Sequence, residues 1–124
     1  IRLDGRFDLV RARSVPGQSP PYRPLAEVVG EQHVFELVDV SGTMLGFRFP
    51  DYAEGIEVGG FHLHFIDEAR ERGGHVLGSR SNGLRARLDP SSDLHVELPP
   101  GVELADPALA ARTHDAVERV ERSS

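Results

Sequence analysis

Val34 to Val40 (VFELVDV) and Phe61 to Ile66 (FHLHFI) are the two stretches that most limit what this chain can become. In each, side chains alternate with a period of two. That pattern suits a strand with one packed face and one open face, and it does not suit an amphipathic helix. Turn residues punctuate the sequence around them. Ser14 to Pro24 (SVPGQSPPYRP) holds four of the nine prolines and is expected to be irregular. Ser41-Gly42 reads as a turn between the strand Val34–Val40 and a second strand from Met44 to Phe49, closed by Pro50.

Further strands are expected at Arg6–Val10, at Phe61–Ile66 after Gly59-Gly60, and from His75 after Gly73-Gly74. Leu84–Leu88 and Leu94–Leu98 read as a pair around Asp89-Pro90-Ser91-Ser92. Two segments point to helix. Leu25 to Glu31 follows Pro24 and ends near Gly30. Asp106 suits an N-cap and Pro107 a first helical position, with Leu109, Thr113, Ala116, Val117 and Val120 recurring at helical spacing behind them. The expected class is therefore α+β: a mostly antiparallel sheet with one short helix and a C-terminal helix.

At 124 residues the chain is expected to form a single domain over 1–124. Its net charge of -6, with no basic cluster, argues against nucleic acid as a partner. No apolar run approaches the length that spans a bilayer, so no membrane is expected. The sequence begins at Ile1 and shows no signal segment, so we expect a cytoplasmic fragment or processed product. Cysteine is absent, and all 14 basic residues are arginine. Thiolate nucleophiles and lysine imines are thus outside this chain's own chemistry. Carboxylates, arginines, histidines and a bound metal remain.

Three of the six histidines fall in GFHLHFIDEARERGGHVLG, from Gly60 to Gly78. On a strand, His62 and His64 share one face while Phe61, Leu63 and Phe65 share the other. If Asp67–Gly74 connects a hairpin, Ile66 lies opposite His75, and His75 joins the other two on their face. Diagonal neighbours of this kind sit roughly 7–8 Å apart, within joint reach of one ion. Three imidazoles with an open position suit catalytic zinc, and other divalent transition metals accept the same donors. From spacing alone, three unrelated surface histidines remain the equal alternative. His33, His95 and His114 carry no such pattern.

The run GFRFPDYAEGIEVGGFHLHFIDEARERGGHVLG resembles the α-acetolactate decarboxylase family. The likeness lies in a Gly-Phe-x-x-Pro segment, a G-[FY]-H-x-H-F strand, an acidic turn and G-G-H-V-L. Upstream, RFDLVRARSVPGQSPPYRPLAEVV is also similar, including its Arg-Ser-Val-Pro turn. Gly78 stands where the family usually has Asp. The resemblance covers this whole chain and about the C-terminal half of a family member.

It implies one half of a duplicated two-domain α/β architecture whose N-terminal half is absent here. It also implies zinc held by His62, His64 and His75, an active-site arginine at Arg13, and a catalytic glutamate at Glu121. The implied reaction converts 2-acetolactate to acetoin and carbon dioxide, in a homodimer. On a helical wheel Glu121 lies at the margin of the apolar stripe, whereas Glu118 points away from it. Two other readings compete. HLHFIDE fits HxHxxxE, which would make His62, His64 and Glu68 ligands of a cupin-like metalloprotein. Alternatively, the chain is a non-enzymatic β-rich binding module.

Overall fold

A computed structural model describes residues 1–23, 25–53, 59–95 and 97. Five strands carry the fold: β1 (Arg2–Ser14), β2 (His33–Phe49), β3 (Gly60–Asp67), β4 (Gly73–Arg80) and β5 (Leu84–Arg87). Every pairing is antiparallel, in the order β2-β3-β4-β1-β5. β1 also pairs with β2 along its whole length, from Arg2 opposite Leu45 to Ser14 opposite His33. The first four strands thereby close into a ring, which satisfies backbone groups that an open sheet would leave bare. β5 adds to the outer edge of β1, with Leu84 opposite Gly5.

The ring encloses Phe7, Val10, Ala12, Leu37, Val40, Met44 and Phe65, with Leu3, Phe35, Val76 and Leu84 packed at its margin. Phe7 meets Phe65 edge to face, with centroids 5.4 Å apart. The facing pairs Phe7–Val40 and Val10–Leu37 are both buried. Strict alternation would send them to opposite faces. Asp39, at φ 54°, takes the left-handed conformation between them and breaks the alternation, so both pairs reach one core. Aspartate tolerates that region better than most residues. The Arg6 guanidinium pairs with the Asp39 carboxylate on the surface, which holds that carboxyl below its usual range.

This architecture corrects the α+β expectation. Helical structure among the described residues amounts to one turn, α1 (Leu25–Val28), and two 3-10 turns, Val29–Glu31 and Asp51–Ala53. None is long enough to form a helical layer against the sheet, so the sheet buries its apolar face by closing on itself. The C-terminal helix expected from Asp106 to Val120 lies outside the described residues. No helix among the described residues is long and apolar enough to cross a membrane.

Two strand expectations also change. Ser41-Gly42 is not a turn, because β2 runs unbroken for 17 residues. Gly42 serves close approach instead. A Cβ there would overlap the Ile66 carbonyl oxygen and sit 2.6 Å from Phe65 Cζ, so only glycine lets β3 lie this near. Leu84–Arg87 pairs with β1 and not with the segment after Pro90. Leu94, His95 and Glu97 are outside any strand.

Candidate metal centre

Phe65 fixes the orientation of β3. Its ring is 3% exposed in the core, so its strand neighbours His64 and, two residues back, His62 project from the outer side of the ring. The hairpin to β4 brings in the third imidazole. His64 lies directly opposite His75, Phe65 opposite Gly74 and Ile66 opposite Gly73. The sequence pattern placed Ile66 opposite His75, two residues away from the observed register. A shift of two preserves the face, so the three histidines still converge. It also turns a diagonal contact into a direct cross-strand one.

One ring nitrogen from each of His62, His64 and His75 lies within 4.8 Å of the others. His62 Nε2 and His64 Nε2 are 3.2 Å apart, with their rings stacked at 5.3 Å and 19°. The His75 ring stands edge-on to both, at 4.9 Å from His62 and 5.3 Å from His64. Tetrahedral zinc with bonds of 2.0–2.1 Å holds its ligand nitrogens about 3.4 Å apart. The histidine donor set and its convergence therefore fit a divalent ion. Burial first, then the Arg13 cation and the two other histidines, push the His75 pKa down to about 4. His75 is thus a neutral lone-pair donor at ordinary pH, the form a metal requires.

Arg13 lies opposite His75 on β1 and opposite Val34 on β2. Its residue is only 5% exposed, and Nη1 donates to Gln32 Oε1 at 3.2 Å. A row of facing residues therefore crosses the strands in the order Leu45, His64, His75, Arg13. Phe47 faces His62 in the neighbouring row. Leu45 and Phe47 are 59% and 67% exposed, so an apolar strip borders the imidazoles.

Sequence reasoning missed Gln32. It ends the 3-10 turn after α1, with its own N–H donating to Val29 O at 3.1 Å. Nothing in its local pattern signals a link to Arg13, because 19 residues separate the two.

Glu121 lies outside the described residues. Glu68, needed as a ligand by the HxHxxxE reading, is exposed in the turn after β3 and stands outside the histidine cluster. His75 takes the place that reading gave to Glu68. His33 is exposed at the start of β2, and exposed His95 lies 3.7 Å from Glu97. His114 is outside the described residues.

A three-histidine cluster beside a buried arginine, on the outside of a closed antiparallel sheet, defines a β protein with a group of side chains able to hold a metal ion. Residues 1–110 match the family model for alpha-acetolactate decarboxylase. The alpha-acetolactate decarboxylase of Methanosarcina mazei is 44% identical over 122 residues, which is 98% of this chain and 42% of that protein. The Methylococcus capsulatus enzyme of the same name is 40% identical over 121 residues, 98% of this chain and 46% of that one. The crystal structure of the Bacillus subtilis strain 168 alpha-acetolactate decarboxylase superposes with a TM-score of 0.72 at 34% identity. That likeness covers 99% of this chain and 53% of the other. The chain belongs to the alpha-acetolactate decarboxylase family. It spans about half, or somewhat less, of the length of the curated relatives it matches.

Proposed function

We propose that this chain is the metal-binding half of a carboxy-lyase that converts 2-acetolactate to acetoin and carbon dioxide. The observation that carries the proposal is the convergence of His62, His64 and His75 with buried Arg13 directly opposite His75. Family membership supports the reaction class.

The substrate is a β-keto acid bearing a tertiary hydroxyl. The bond between its carboxylate carbon and C2 breaks, carbon dioxide leaves, and the electron pair passes into the neighbouring ketone. A proton then replaces the lost carboxylate. When bound to the three histidines, zinc or a similar divalent ion supplies Lewis-acid stabilisation of the charge that develops on the ketone oxygen.

The chain's own residues do the rest. Arg13 orients the substrate carboxylate through charge-assisted hydrogen bonds, with Gln32 limiting where its guanidinium points. Leu45 and Phe47 give the substrate's methyl groups an apolar strip beside the imidazoles and keep water off that side. Glu121 delivers the proton to one face, giving a chiral product. The remaining wall of the cleft and a further glutamate come from the part of the family's length outside this sequence.

Two measurements test this. Elemental analysis should find one divalent ion per chain, and replacing any two of the three histidines with alanine should abolish it. Full occupancy in such a double variant refutes the ligand set. Acetoin formation from racemic acetolactate should be weak or absent for these 124 residues alone. It should appear when the rest of the family's length is supplied in trans. Turnover by the 124 residues alone at an intact enzyme's level refutes the shared-site reading.

A further inference from the structure

The connection between β3 and β4 decides whether His75 meets His64, and one side chain dominates it. Asp67 ends β3 and is 4% exposed, although it is an ionisable residue at a hairpin end. Its Oδ1 accepts from the backbone N–H of Glu71 at 2.8 Å and of Arg72 at 3.2 Å. Its Oδ2 accepts from Arg72 Nε at 2.7 Å. The Asp67 N–H donates to the Arg72 carbonyl at 2.9 Å, and the Arg70 N–H donates to the Asp67 carbonyl at 3.0 Å. Arg70 takes a left-handed conformation at φ 60°. One carboxylate thus fills the inside of the connection and fixes how many residues it holds.

That count sets the pairing of Ile66 with Gly73 and of His64 with His75. Gly73 and Gly74 carry no side chains to interlock with β3, although a Cβ at either would overlap a backbone oxygen, of Phe65 and of Arg13 respectively. A slip of one residue would send the His75 imidazole to the opposite face. We propose that Asp67 is the positioning residue of the histidine cluster: it sets the β3–β4 register and so delivers His75 to the other two ligands. The inference rests on the metal reading above. A merely structural Asp67 would close the loop and add stability without governing that register.

The experiment compares the wild-type chain with Asp67→Ala, Asp67→Asn and Arg72→Gln, and with Val10→Ala as a core control. Val10 is buried opposite Leu37 of β2 and Ser79 of β4, outside the β3–β4 connection, so its loss lowers thermal stability without touching the loop. Two readouts are taken. One is the cross-strand nuclear Overhauser contact between His64 and His75. The other is Co(II) titration, with the visible absorption of the bound ion reporting its geometry.

Asp67→Ala should lose the His64–His75 contact while keeping the Arg13–Val34 contact. It should bind Co(II) about 10- to 100-fold more weakly, the scale expected when a metal ligand loses what orients it. Its absorption spectrum should change. Asp67→Asn keeps an acceptor for the two backbone N–H groups and should recover most of both signals. Arg72→Gln removes only the exposed guanidinium that donates to Asp67 Oδ2 and should lose part of the affinity. It also provides the reading if Asp67→Ala does not fold. Val10→Ala should leave the spectrum unchanged.

A folded Asp67→Ala or, failing that, Arg72→Gln with wild-type contact, affinity and spectrum overturns the inference. So does an equal change of the spectrum in Val10→Ala. If the wild-type chain binds no Co(II) yet Asp67→Ala loses the contact, the metal reading fails and the register role stands.

Discussion

Gly46 lies between the rows that carry His62 and His64, and a single methyl group there should be felt at any ion these histidines hold. The residue pairs with Leu63, which stands between His62 and His64 on β3. A Cβ built on Gly46 would overlap the His62 carbonyl oxygen and lie 2.9 Å from both His62 C and Leu63 Cα. Carbon atoms in ordinary contact sit about 3.5–4.0 Å apart, so β3 must retreat by about 0.6 Å or more. These are backbone atoms, so no rotamer change relieves the overlap. Metal sites tolerate ligand displacements of only about 0.2 Å.

The metal-free Gly46→Ala chain can relax outward, and binding the ion then pulls β3 back against the methyl group. Overpacking strain of this kind costs about 1–3 kcal/mol. Taken wholly from binding, that is roughly a 5- to 150-fold rise in Kd for zinc. The assay is competition with a chelator of known zinc affinity, alongside a thermal melt. Gly83→Ala is the control, because a Cβ there meets nothing within 4 Å. A Gly46→Ala chain whose zinc affinity and melting temperature match the control would refute the reasoning that this close contact fixes the ligand strand.

Three further outcomes are expected. Arg13→Lys should lower kcat/KM in the complete enzyme by about 10-fold or more, because the planar fork is lost; steady-state kinetics with unchanged kcat and KM would contradict the carboxylate-orienting role. The metal-free chain should lose stability as pH falls from about 6.5 towards 4. His75 has its folded pKa lowered to about 4, so across that window the unfolded state takes up a proton that the folded state refuses. The full shift would be worth about 3–4 kcal/mol; because solvent screens this half-buried ring, the loss should total about 1–3 kcal/mol and be complete below about pH 4, and His75→Gln should flatten this slope in urea titrations read against pH. Phe7→Ala should cost about 3–5 kcal/mol by urea denaturation, since the ring is fully buried and packs edge-on to Phe65.

Much of the site is legible in the sequence. The alternation in FHLHFI sorted Phe65 inward and both histidines outward, because strand parity is a local property of the backbone. His75 was placed on the correct face although its partner was off by two residues, since an even error leaves parity intact. Helix was expected where only one turn formed. Leu25–Val28 has helical propensity, but four residues cannot nucleate a lasting helix, and no layer of the ring needs one. Ser41-Gly42 looked like a turn because serine and glycine usually punctuate strands. In β2 the glycine answers a steric demand from Phe65 and Ile66, which are more than 20 residues away in sequence.

Local pattern alone therefore determined most of the strands, the shared face of His62 and His64, and the absence of cysteine and lysine chemistry. Resemblance to a family adds the expectation that His62, His64 and His75 hold a metal and that Arg13 belongs to the site. Only the tertiary structure decided that β1 pairs with β2 on one edge and β4 on the other, closing the ring. Closure puts Arg13 opposite His75 and buries it beside Gln32. It also lets Asp39 turn the sheet so that Phe7 and Val10 share one core. The physical reason is range. Side-chain parity depends on adjacent residues, whereas burial of a charged group and the approach of two strands depend on partners that only the closed sheet brings together.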